Sequence, residues 1–250
     1  MRLRARKTTP WVLLTTFVLC AGCRGEPGAA DPPAINVVEP ASEPEPLPPP
    51  LTHFMGREIA TTMHWSGSDW LWRDSREAEE STHQMLRALQ VREGQTVCDL
   101  GAGSGYHSLQ LARMVGTSGR VLAVDIQPEM LAMLNERAAA AGVTNIETIL
   151  GGLADPMLPP ASCDLVLMAD VYHEISYPEH VLVSLKRALR PGGRVVLVEF
   201  RAEDPEVRIK KNHKMAAAQV VKELTAAGYE LERSYDDLPQ QHLMVFVVAD

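Results

Sequence analysis

One stretch constrains this chain more than any other: Val97-Cys98-Asp99-Leu100-Gly101-Ala102-Gly103-Ser104-Gly105-Tyr106, followed by the apolar run Val121-Leu122-Ala123-Val124 closed by Asp125. Val97 to Leu100 reads as a short buried strand, and three glycines at alternating positions read as a turn into a helix. A strand, a glycine turn, a helix and a second strand ending in a carboxylate form a unit that binds adenosine-containing ligands. Glycine lets backbone approach the ligand, the helix N-terminus offers free N–H groups, and the acid can accept both hydroxyls of a ribose. The glycine spacing then discriminates between cofactors. A dinucleotide fingerprint needs G-x-G-x-x-G. Here the third glycine comes one residue early, as Gly105, and Tyr106 stands in the dinucleotide position.

Asp99-Leu100-Gly101-Ala102-Gly103-Ser104-Gly105 resembles the first motif of the class I S-adenosylmethionine-dependent methyltransferases, a strand ending in D/E-x-G-x-G-x-G. Later landmarks carry the likeness over about residues 90–250. The resemblance implies S-adenosylmethionine as cofactor and a Rossmann-like three-layer α/β sandwich. Its sheet would be mostly parallel and seven-stranded, in the order 3-2-1-4-5-7-6, with an antiparallel C-terminal hairpin. Periodicity alone supports α/β with a mixed edge. Strands are expected at 96–100, 120–125, 145–150, 164–169, 194–200, 229–235 and 243–248. Helices are expected at 104–115, 128–141, 178–190 and around 214–227. Leu165-Val166-Leu167-Met168 and Val195-Val196-Leu197-Val198 lack alternation and therefore read as central strands covered on both faces. Residues 51–92 read as a mostly helical cap over the carboxyl edge of the sheet, ahead of a domain spanning 93–250.

Ligands of open α/β sheets bind outside the carboxyl ends of the strands, where strand order reverses. The resemblance places Gly101, Ala102, Gly103 and Gly105 on the floor of that crevice, with Asp99 holding the cofactor's amino group. It assigns Asp125 to the ribose hydroxyls, Ile126 and Leu153 to the adenine faces, and Asp155 to the exocyclic amine. Asp170 and His173, leaving the fourth strand, would lie beside the methionine moiety and the transferring methyl. They are the catalytic candidates, with His173 able to act as a base. Plainer readings stand beside these: Asp125 as a helix cap before Pro128, Asp155 as turn chemistry before Pro156, and His173 as a residue packed under the cap. Arg57, Glu58, His64 and Trp65, and separately Glu199, Arg201, His213 and Lys214, could line a substrate entrance or form surface ion pairs. No histidine or cysteine spacing suggests a metal site.

The N-terminus suggests export. Arg2, Arg4, Arg6 and Lys7 precede an apolar run from Trp11 to Ala21, and Leu19-Cys20-Ala21-Gly22-Cys23 resembles a bacterial lipobox with Cys23 as the lipidated residue. An uncleaved anchor or an ordinary secretory peptide would carry similar features. Residues 24–50 hold half of the 18 prolines and read as a disordered tether. Residues 1–23 would then be a signal peptide, and the domain would sit lipid-anchored at the cell envelope, facing the periplasm. Cleavage before Cys23 would move the formal charge from −8 to −12, because four positive side chains leave. A net acidic domain without a basic patch argues against nucleic acid as partner. A small-molecule or lipid-like acceptor at a membrane is the expectation. The rival readings are a non-catalytic nucleoside-binding lipoprotein and a nicotinamide-dependent oxidoreductase. The first gains from a compartment problem, since S-adenosylmethionine is made in the cytosol and the leader would carry the domain out of it.

Overall fold

The two unalternating apolar runs become the centre of the sheet in the computed structural model, which describes residues 46–249. The expected signal segment, Cys23 and the part of the expected tether before residue 46 lie outside the described residues. From Pro48 onward the chain forms one compact unit, so the expected cap and the α/β core pack as a single body. The unit opens with a two-residue hairpin, β1 (His53–Phe54) and β2 (Arg57–Glu58), then α1 (Arg76–Glu80) and α2 (Thr82–Ala88). The α/β core follows as β3 (Thr96–Leu100), α3 (Ser108–Val115), β4 (Arg120–Asp125), α4 (Pro128–Ala140) and β5 (Ile146–Leu150). It continues as β6 (Cys163–Ala169), α5 (Pro178–Ala188), β7 (Leu189–Phe200), α6 (Ala217–Ala226), β8 (Tyr229–Tyr235) and β9 (Gln241–Val248).

The seven strands run in the order β5-β4-β3-β6-β7-β9-β8, parallel except for β9, which pairs antiparallel with both neighbours. This is the expected order 3-2-1-4-5-7-6 with its terminal hairpin. Leu165 and Leu167 face one apolar cluster, while Val166 and Met168 face the other, so β6 is covered on both sides. Val196 and Val198 alternate with Val195 and Leu197 in the same way on β7. Each such side chain, fully withdrawn from water, stabilises the fold by about 1.5–3 kcal/mol.

Several expected boundaries shift for local reasons. The first core helix begins at Ser108 rather than 104, because Gly103 and Gly105 hold positive φ values that no α-helix accepts. Strand β7 begins at Leu189, before Pro191-Gly192-Gly193, instead of at 194. Its pairing with β6 jumps from Leu189 to Arg194, and the intervening residues bulge out at Gly192. Pro128 and Pro178 begin α4 and α5 at the first turn, where a missing N–H costs nothing.

The cap is less helical than expected. Trp65–Trp72 forms a 3-10 segment, and Ser81, at φ 51°, separates two short helices. Two charged residues of this region, Arg76 and Glu80, are turned inward. Arg76 is buried, bonded to Glu80 at 2.8 Å and to the Leu71 carbonyl at 2.9 Å, and stacked on the Tyr106 ring. Cys98 and Cys163 are free buried thiols, with Cys98 opposite Val166 and Cys163 at the start of β6. The Cys163 pKa is lowered to about 7, first by the Cys98 thiol and then by Ser162 Oγ, 3.4 Å away, against the opposing effect of burial. Among the described residues no helix is long and apolar enough to cross a membrane.

Candidate active site

Strand order reverses between β3 and β6, and a cavity of about 730 Å³ opens beyond their carboxyl ends. Gly101, Gly103, Asp125, Ile126 and Leu153 line it together with Asp170, His173, Glu174 and His213. The cap closes it through Met63, His64, Trp70, Leu71 and Arg76. Its volume falls within the usual range for small-molecule sites, about 300–1,000 Å³.

The glycine bend divides its labour. Gly101, at φ +74°, leaves no room for a side chain, since a Cβ would meet Val171 Cγ2 at 2.5 Å. Gly103 lies on the cavity wall and donates its N–H to Asp125 Oδ2 at 2.8 Å. Gly105 does not reach the cavity; a Cβ there would meet Leu134 Cγ at 2.8 Å, so it serves the docking of α4. Ala102 is likewise buried and off the cavity wall.

Asp125 closes β4 almost wholly buried, and its other oxygen accepts from the Gln127 amide at 2.9 Å. Burial raises its pKa, and the bonds from Gln127 and Gly103 oppose that rise. It thus braces the glycine bend and caps the turn into α4 while lining the cavity. Ile126 and Leu153 keep 37% and 52% of their surfaces exposed, so both present apolar walls to a ligand. Asp99 is placed differently from expectation. It is buried off the cavity, accepting a 2.5 Å bond from Ser108 Oγ, and burial pushes its pKa up to about 6. Asp155 also faces away from the cavity, accepting from the Met157 amide at 2.9 Å and pairing with Arg187 at 3.4 Å. The turn reading accounts for its geometry.

Asp170 and His173 do come together on the cavity wall. Asp170 is a non-glycine residue at φ 56°, bonded through Oδ2 to Gln241 Nε2 at 2.7 Å and with Oδ1 unpartnered. Burial, then the charges of Glu80 and Glu199, raise its pKa well above the carboxylate range. His173 is buried with Nδ1 2.7 Å from Glu199 Oε2 and Nε2 3.1 Å from His213 Nδ1. Burial lowers its pKa, but the Glu199 charge and hydrogen bond prevail and raise it. A carboxylate behind the imidazole fixes the Nδ1–H tautomer and turns the Nε2 lone pair outward. Burial raises neighbouring Glu174 to about 7.

Sequence reading gave little weight to Glu199 and His213, and none to Glu174 and Gln127. His213 lies 40 residues from His173, on the short turn Lys211–His213, and only the fold joins them. Gln127 clamps the cap, donating to the Met63 carbonyl at 2.9 Å and accepting from the Trp65 amide at 2.8 Å. Arg57 is a structural residue: it pairs with buried Glu223 at 2.7 Å and donates to the His173 carbonyl at 3.2 Å. Arg201 bonds the Asp236 and Pro239 carbonyls at the turn before β9.

Residues 92–242 match the family described as "Methyltransferase domain", more than half of the chain. The chain belongs to the methyltransferase-domain family. Over 111 residues the chain is 36% identical to the ubiquinone/menaquinone biosynthesis C-methyltransferase UbiE of Enterobacter sp. (strain 638), covering 44% of each protein. The UbiE of Salmonella arizonae is 35% identical over the same length and shares. The chain therefore spans less than half the length of these curated relatives. Among solved structures, a SAM-dependent methyltransferase from Aquifex aeolicus superposes with a TM-score of 0.71 at 26% identity, covering 75% of this chain and all of that one. An S-adenosylmethionine-dependent methyltransferase from Mesorhizobium loti gives 0.53 at 20% identity, over 65% and 95%, a likeness of fold. Membership in this family and the early Gly105 together disfavour the nicotinamide reading.

Proposed function

We propose that the protein is an S-adenosylmethionine-dependent methyltransferase acting on a small-molecule or lipid-like acceptor. The observation that carries this reading is the joint placement of Gly101, Gly103, Asp125, Ile126 and Leu153 on the wall of a single cavity. Bare backbone, a buried carboxylate and two exposed apolar side chains suit a purine nucleoside, and Asp170, His173, Glu174 and His213 line the same cavity. When bound, S-adenosylmethionine supplies a methyl on a sulfonium, which an acceptor takes in line while the sulfur keeps the bonding electron pair as a neutral thioether. The protein's share is alignment and exclusion of water. Asp125 orients the ribose, Ile126 and Leu153 hold the adenine between them, and the cap shields the cavity. Asp170 and the Glu199-backed His173 face the reacting end, where His173 Nε2 can accept the acceptor's proton.

Similarity to relatives named for ubiquinone and menaquinone biosynthesis favours a quinol-like ring as acceptor over nucleic acid. The leader and the Pro-rich tether support placement at the envelope membrane through a lipid on Cys23, which suits such an acceptor. The test is methyl transfer from tritiated S-adenosylmethionine to polyprenyl hydroquinones, with tRNA and protein as alternatives. Label in the hydroquinone, lost in Asp125→Ala, is the expected result. Label confined to tRNA or protein would overturn the acceptor assignment.

A further inference from the structure

Three side chains on the cavity wall have a geometry that hydrogen bonding does not account for. His173 Nε2 and His213 Nδ1 are 3.1 Å apart, and Glu174 Oε1 lies 3.9 Å from the first and 3.7 Å from the second. A hydrogen bond between the rings explains the short edge. The two carboxylate edges are too long for one, yet Glu174, itself mostly buried, points its oxygen at both imidazoles. A point equidistant from the three atoms lies about 2.1 Å from each, the bond length of zinc to nitrogen and oxygen ligands.

Two further observations agree. Glu199 holds His173 Nδ1 at 2.7 Å in a fully buried pair, which leaves Nε2 as the donor atom facing His213 and Glu174. A carboxylate behind a ligating imidazole is the usual support of a metal centre. Further oxygen donors stand close by: Glu174 and Asp170 line the same cavity, Glu199 backs His173, and Glu199 Oε1 and Asp170 Oδ1 have no hydrogen-bond partner. Lys210 and Arg208 border the cavity but make no ion pair with these three among the described residues.

We propose that His173 Nε2, His213 Nδ1 and Glu174 Oε1 bind one divalent transition-metal ion, of zinc-like donor preference, whose open positions take an oxygen of the acceptor. Two imidazoles and one carboxylate suit such an ion better than magnesium or calcium, and three protein ligands mark an open rather than a closed site. With the ion bound, His173 Nε2 is a ligand and no longer the acceptor's base; a hydroxyl bound there would instead release its proton to water and stay on the ion as an oxyanion, ready to be methylated there or to activate a conjugated ring carbon. The acceptor role rests on the methyltransferase reading. Metal binding does not.

The full chain is titrated with zinc against a chromophoric chelator, and with cobalt(II), whose visible absorption reports a four- or five-coordinate nitrogen and oxygen site. One equivalent of each is expected. Affinity should fall about 100-fold or more in His213→Ala and in Glu174→Ala, with circular dichroism unchanged as the check on folding. Failure to bind one equivalent, or equal binding by the wild type and both variants, overturns the site. Stoichiometric metal in a protein that transfers no methyl would keep the site and remove only the methyltransferase reading. Adding catechol to the cobalt form should shift its spectrum; an unchanged spectrum overturns the oxygen-ligand assignment.

Discussion

Asp99 carries an electrostatic burden that its one short hydrogen bond only partly offsets. Its folded pKa of about 6 lies above the ordinary 3.8, so ionising it disfavours the folded state. The penalty is absent below about pH 4 and complete above about pH 6, where it amounts to roughly 3 kcal/mol. Asp99→Asn keeps an acceptor for Ser108 Oγ. The variant should therefore gain stability on the wild type, by up to about 3 kcal/mol, as pH rises from 4 to 7. Urea unfolding at both pH values checks this, and parallel behaviour would mean that the carboxylate stays solvated. Asp99 and Asp155 also show where residue-level reading falls short. A motif locates a carboxylate on the chain but not the direction its side chain takes, and here Ser108 and the Met157 amide decide that. Asp125 was more legible. A charged residue closing a fully apolar strand needs partners, and it finds two backbone amides beside the cavity.

Elements dock through contacts that sequence shows only in part. Gly105, whose early position separates this motif from the dinucleotide pattern, sits at φ +94° against Leu134 on α4. Gly105→Ala should destabilise the fold by about 2–4 kcal/mol, from left-handed backbone strain and a forced shift of a buried leucine. Thermal unfolding would read the loss; an unchanged midpoint would mean that α4 can move aside freely. Gln127 joins the cap to the start of α4 through two hydrogen bonds. Gln127→Ala should weaken cap docking by about 1–2 kcal/mol and speed proteolysis within residues 60–75 while sparing the sheet. The strands could be read because doubly covered strands need unbroken apolar runs. The cap could not, because its short segments owe their shape to partners such as Tyr106, Ser104 and Gln127 rather than to their own periodicity.

The whole molecule assembles what the chain keeps apart. Asp125, Asp170 and His173 lie near strand ends, where the parallel α/β rule places a site, and were legible for that reason. His213 and Glu199 approach His173 only because β7 runs beside β6 and the chain then returns over the cavity at Lys211–His213. No local spacing encodes that return. The same architecture makes one cavity serve both a nucleoside and an acceptor, and the account depends on the nucleoside half being real. Calorimetric titration of the purified chain with S-adenosylmethionine tests this most directly. One site is expected, weakened about 100-fold or more in Asp125→Ala by loss of charged hydrogen bonds to the ribose. No heat of binding from the sulfonium nucleoside, or saturable binding of NADH in its place, would contradict the account.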